Sequence, residues 1–106
     1  MDGLQHSIAT LFDHWRAEWR SVRIARTIYP ALWESVRRKV PHTQATDLTE
    51  YAKVRAAQLA QEQVDVIMKA NPALSGAFAT RLLLKSTERA VNLVLEAVAN
   101  ARRAAA

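Results

Sequence analysis

The chain has 106 residues, 50% of them apolar and 24% charged, with no cysteine and a formal net charge of +5. That length suits one domain, residues 1–106, able to bury about two thirds of the surface its unfolded form exposes, and the composition argues against disorder throughout. The lack of cysteine excludes disulfides and thiolate metal sites, and no apolar run approaches the ~20 residues of a membrane-spanning helix.

The start, Met1-Asp2-Gly3, leads into no basic-then-apolar secretory pattern, so a cytoplasmic location is expected. Twenty residues are alanine, which favours helix but buries little area. The core should therefore be modest, and a second chain is a natural source of extra burial. Residues 1–45 hold seven Lys/Arg against four Asp/Glu, residues 46–75 three against four, and residues 76–106 five against two. Basic ends flank a nearly neutral middle, which favours an anionic partner. An arginine- and alanine-rich proteome with no binding role gives the same balance.

In chain order, Leu4, Ile8, Leu11, Phe12, Trp15, Trp19, Val22 and Tyr29 recur at helical steps and predict a first helix over residues 4–28. Pro30 suits the first turn of a second, short helix over 30–39, which ends on Arg37-Arg38-Lys39 before Pro41. After a polar connector, Asp47-Leu48-Thr49-Glu50 has the spacing of a capping box and predicts a third helix over 47–70. Its apolar positions are Leu48, Tyr51, Ala52, Leu59, Ala60, Val64, Val66 and Ile67. Asn71-Pro72 ends it, and Phe78, Leu82, Leu83, Ala90, Val91, Val94, Leu95 and Val98 carry a fourth helix over 76–101, with a frayed tail at 102–106. No segment alternates with period two. The expected fold is all-α: a small antiparallel bundle of three long helices plus one short one.

Catalytic and metal chemistry find little support. His6, His14 and His42 lack the usual ligand spacings, and a shared face for Asp2, His6 and Asp13 reads as an ordinary solvated surface. Two glycines cannot build a phosphate loop, and no hydroxyl sits beside a base in a catalytic motif. No catalytic residue, metal, cofactor or small-molecule substrate is expected.

Two surface features remain. All three tryptophans and seven of the fifteen cations fall between Trp15 and Lys39. Arg16, Arg20 and Arg23 form one ridge, with Arg26 at its edge, and Arg81, Lys85 and Arg89 form a second on the last helix. Together with Arg37 and Arg38 they are candidate contacts for an anion or a nucleic-acid backbone. The alternative is a pair of solvated flanks compensated by Glu18, Glu88 and Glu96. Trp15 and Trp19 lie beside the arginines on the apolar side of the first helix, a position that favours burial in the bundle or against a second copy over base stacking. Trp33 is expected to stay partly exposed. Sequence-specific DNA reading is disfavoured, because the links at 40–46 and 71–76 are long for a helix-turn-helix. A membrane-surface role for the first helix fits its Trp/Arg pattern but not its place in a packable bundle.

The leading function is a non-enzymatic helical module that self-associates, a dimer being the expected order, through Trp15, Trp19, Trp33, Leu82 and Leu83. Its basic surface would contact a nucleic-acid backbone with little sequence preference. The alternatives are an adaptor, chaperone or assembly protein that grips an acidic or amphipathic protein segment, and a small enzyme or metal-binding bundle.

Overall fold

A computed structural model of the chain describes the backbone of residues 2–105 and the side chains of residues 16–105. Three helices and no strand occur among the described residues: α1 (Asp2–Arg37), α2 (Ala45–Ala70) and α3 (Gly76–Ala105), with a short 3-10 turn over Val40–His42 between the first two. The fold is all-α, and each helix packs against both others.

The expected break at Pro30 does not occur; residues 30–37 of the expected short helix are the C-terminal end of α1. Proline removes one backbone donor, so the carbonyl of Arg26 loses its i+4 partner, and an interior proline costs about 3 kcal/mol. The helix persists because one inner stripe, Ala17, Ser21, Ile24, Ile28, Leu32 and Val36, is buried on both sides of the proline. Breaking α1 would expose Leu32 and Val36, whose burial is worth about 1.5–3 kcal/mol each. Pro30 itself is exposed, where its ring disturbs no packing.

α2 begins two residues earlier than the capping-box pattern implies. Gln44, in extended conformation, is the N-cap and makes no side-chain capping bond, and Asp47 sits inside the first turn. There it complements the positive end of the helix dipole instead of capping it. The buried stripe of α2 is Leu48, Ala52, Ala56, Ala60 and Val64, at uniform steps of four. Val66, expected on the apolar side, is 64% exposed. At the turn into α3, Asn71 donates from Nδ2 to the Ile67 carbonyl at 2.9 Å, and Ser75 Oγ accepts from the Phe78 amide at 3.1 Å, which makes Ser75 the cap. α3 continues through Ala105 rather than fraying at 102: its last turns are alanine-rich and carry Arg102 and Arg103, which suit a helix C-terminus.

The core is thin. Ala17, Ala25, Ala52, Ala56, Ala60 and Ala90 are all buried, alongside Leu32, Leu48, Leu82, Phe78, five valines and two isoleucines. Two serines join it: Ser21 donates to the Glu18 carbonyl at 2.7 Å and Ser86 to the Leu82 carbonyl at 2.6 Å, so neither hydroxyl is left unpaired. The molecule measures 60 × 25 × 19 Å with a radius of gyration of 16.5 Å, against about 13 Å for a compact domain of this length. It exposes 7318 Å², where a compact monomer of its mass exposes about 5,900 Å².

Because Pro30 is exposed and interrupts a helix held from within, Pro30→Ala should raise unfolding free energy by about 2 kcal/mol. Urea denaturation checks this; an unchanged or lowered midpoint would mean that the proline fits its site.

Candidate interaction surface

A polar contact that joins α1 to α3 is built on Glu18 of α1. Its carboxylate accepts from Lys85 Nζ and from Arg89 Nη2, one helical turn apart on α3. Hydrogen bonding from Lys85, then from Arg89, holds the Glu18 carboxyl below the ordinary glutamate range. At the other end of α1, Arg37 donates from Nε and Nη2 to the two oxygens of Glu34 at 2.8 and 2.6 Å, and Arg38 reaches the same carboxylate at 3.5 Å. The bond from Arg37 is the main cause of a lowered Glu34 pKa.

Two further cations lie over aromatic rings: the Arg20 guanidinium is 6.0 Å from the Phe78 centroid and the Lys39 ammonium 4.8 Å from that of Tyr51. Of the eight cations singled out in the sequence, Arg16, Arg23 and Arg81 form no ion pair or ring contact among the described residues.

The two basic ridges do not converge. Arg20 and Arg23 line a depression with Ile24, Thr27, Gln63 and Ile67, between α1 and α2. Lys85 and Arg89 line another with Glu18, Glu88 and Asn92, between α1 and α3. Arg37 and Arg38 sit at the far end of α1. None of the depressions described collects more than two of the eight.

The apolar candidates also separate. Leu82 is fully buried, and Leu83 and Trp33 pack half-buried against the core. Trp19 is 59% exposed. Its expected place on the packing side is not what the structure shows, because at this level of α1 the inward positions belong to Ala17 and Ser21. The side chain of Trp15, like those of His6, His14, Asp2 and Asp13, lies outside the described residues.

What the sequence reading missed is a groove between α1 and α3. Val22, Ala25, Arg26 and Tyr29 form one wall, and Arg89, Asn92, Leu93, Glu96, Ala97 and Asn100 form the other. It is shallow and open to solvent, about 330 Å³ along its Tyr29 end. The signal was present: Trp19, Val22, Arg26, Tyr29 and Trp33 recur at alternating steps of three and four, a 3.5-residue seam distinct from the inner stripe. No group of three or more potential metal ligands comes together among the described residues, and no helix there is long and apolar enough to cross a membrane. No protein-family model matches this chain, and comparison with curated proteins and with solved structures finds no match.

The depressed Glu18 pKa fixes the sign of a pH effect. The Glu18 bridge stabilises the fold above the unfolded glutamate pKa of about 4.3 and is lost as pH falls through the lower folded value. Glu18→Gln should therefore be less stable than the wild type near neutral pH, with the gap closing progressively below pH of about 4. Thermal unfolding of both proteins across that range checks it; a gap independent of pH would mean that the loss is not electrostatic.

Proposed function

We propose that this chain is a non-enzymatic, self-associating helical module, a dimer, whose basic residues make secondary, sequence-indifferent contacts with an anionic partner. The observation that carries the first half is the surplus of surface. The chain exposes 7318 Å², about 1,400 Å² more than a compact monomer of its mass. A stable interface removes about 800 Å² from each partner, so one dimer contact absorbs much of the excess.

The arrangement of the helices supports this reading. Ser35 of α1 accepts from Arg55 of α2 at 3.4 Å, while Ile24 and Thr27 border Gln63 and Ile67. On the α3 side, Glu18 meets Lys85 and Arg89, and Tyr29 borders Leu93, Ala97 and Asn100. We take this as an up-down-up bundle in which sequence neighbours run antiparallel and α1 and α3 run the same way. Such a bundle presents one long two-helix face, α1 beside α3, to a partner.

Anion binding is the weaker half, because five of the eight candidate cations already have partners within the chain. Three uncommitted arginines imply a salt slope for nucleic-acid binding of about −3, whereas eight would give about −7. Titration of single- and double-stranded DNA against salt measures that slope. A value near the larger figure would mean that the ion pairs open to receive phosphate, and no binding at low salt would remove the nucleic-acid partner.

Sedimentation equilibrium tests the leading proposal. A dimer should form with rising concentration within the range of about 1–100 µM, the span of weak to moderate association. A strict monomer throughout would overturn self-association and leave the groove to a different protein.

A further inference from the structure

The net charge of the chain is concentrated at one end of the molecule. Tyr29 of α1 borders Ala97 and Asn100 of α3, and Thr27 borders Gln63 of α2. Beyond that level lie residues 30–60 and 98–106, which are the end of α1, the corner after it, the first half of α2 and the end of α3. They hold seven Lys/Arg against three Asp/Glu, a balance of +4 out of the total of +5, whereas the rest of the chain holds eight against seven. Arg55 donates to Ser35, and Lys39 lies over the Tyr51 ring, so the α1 and α2 parts of this end are in contact.

Sequence and topology together produce this asymmetry. Cations suit a helix C-terminus, and α1 finishes on Arg37 while the last turn of α3 carries Arg102 and Arg103. In the up-down-up arrangement proposed above, α1 and α3 run the same way, so their two basic ends emerge at the same end of the bundle. The carboxylates there cancel little, because Glu34 is already shared by Arg37 and Arg38, and Glu50 is taken by Lys53. Lys39, Arg55, Arg102 and Arg103 form no ion pair among the described residues. Arg55 also donates to Gln58, and Arg103 donates to Asn100, neutral groups that leave the charge in place. The helix ends themselves, about −0.5 at each C-terminus and about +0.5 at the α2 N-terminus, offset only a small part of it.

We infer that this end of the bundle is the surface that meets the anionic partner, and that the partner is a nucleic-acid duplex held by its phosphate backbone. This rests on the bundle arrangement and the anion-binding half of the function proposed above, and it moves the contact off the two arginine ridges, which lie in the nearly neutral remainder of the chain. A polyanion responds to the summed charge of a surface rather than to single cations. A duplex carries one phosphate per about 1.7 Å of its axis, so a patch on the scale of the molecule's 25 × 19 Å cross-section faces several phosphates at once. An anionic membrane fits less well, because docking there draws on Trp, Phe or Leu buried among the headgroups, and none of these is exposed at this end. A single strand held by stacking needs open rings, but Trp33 and Tyr51 are half-buried and Lys39 covers Tyr51.

Two triple variants of equal net charge separate the location of the cations from their number. Lys39→Gln/Arg102→Gln/Arg103→Gln empties the basic end, and Arg16→Gln/Arg23→Gln/Arg81→Gln empties the ridges; circular dichroism verifies that both fold. Fluorescence anisotropy with a mixed-sequence DNA duplex of about 20 base pairs at about 50 mM salt reads the result. The first triple should weaken binding by about tenfold or more and the second by less than about threefold. A further variant, Ala45→Glu/Thr46→Glu, adds acids at exposed positions in the first turn of α2, where they suit the helix dipole and do not threaten folding. It should weaken binding by about fivefold or more. If the two triples weaken binding equally, if the ridge triple weakens it more, or if the added acids leave it unchanged, the end is not the contact surface and nucleic-acid binding stands. If the wild type binds no duplex at low salt, both fall, and binding to phosphatidylserine vesicles in its place would assign the basic end to a membrane.

Discussion

Close approach of the helices over small side chains is the constraint on which this structure depends. Ala17, Ala52, Ala56, Ala60 and Ala90 are fully buried, and they occupy the positions where leucine or isoleucine would stand in a thicker bundle. Small residues at a helix contact let the backbones come near and pack without voids, which keeps dispersion contacts dense. The same residues bring little apolar area with them, at about 25 cal/mol per Å² removed from water. Close packing and scarce burial are thus two results of one choice of side chain.

A thin core also changes what the surface charges do. Glu18, Lys85 and Arg89 tie α1 to α3, and Glu34 gathers Arg37 and Arg38 at the other end of α1. These pairs are solvent-accessible, so each contributes modestly and is screened by salt. Their larger effect is on availability. A net charge of +5 suggests a polyanion binder, but a cation already hydrogen-bonded to a carboxylate must break that bond before it meets phosphate. Net charge therefore overstates the positive field that a partner encounters.

The helices were legible where apolar residues and their burial coincide. In α3, Phe78, Leu82, Ala90, Val91, Val94 and Val98 follow the helical period and are all buried, and the turn at Asn71-Pro72 sits where the proline puts it. Local signals failed where a longer-range pattern outweighed them. Pro30 reads as a boundary from its own chemistry, yet the inner stripe from Ile24 to Val36 crosses it without interruption and keeps α1 whole. Asp47 has the spacing of a cap, but the chain reaches helical conformation at Ala45 and leaves the acid in the first turn. Trp19 shows the deeper difficulty. Hydrophobicity ranks tryptophan above alanine and serine, whereas a close helix contact admits Ala17 and Ser21 and turns the indole outward. Composition can reveal that a core is alanine-rich, but only packing decides which of two apolar stripes on one helix faces inward.

Those two stripes on α1 carry different kinds of information. The inner one, Ala17 to Val36, joins one buried cluster with α2 and α3 and is consumed in folding. The outer seam, Trp19, Val22, Arg26, Tyr29 and Trp33, is only half-covered, and α3 meets it with Leu93 and Glu96 rather than with a continuous apolar row. α2 lies on the other flank of α1, where Gln63 and Ile67 border Ile24 and Thr27.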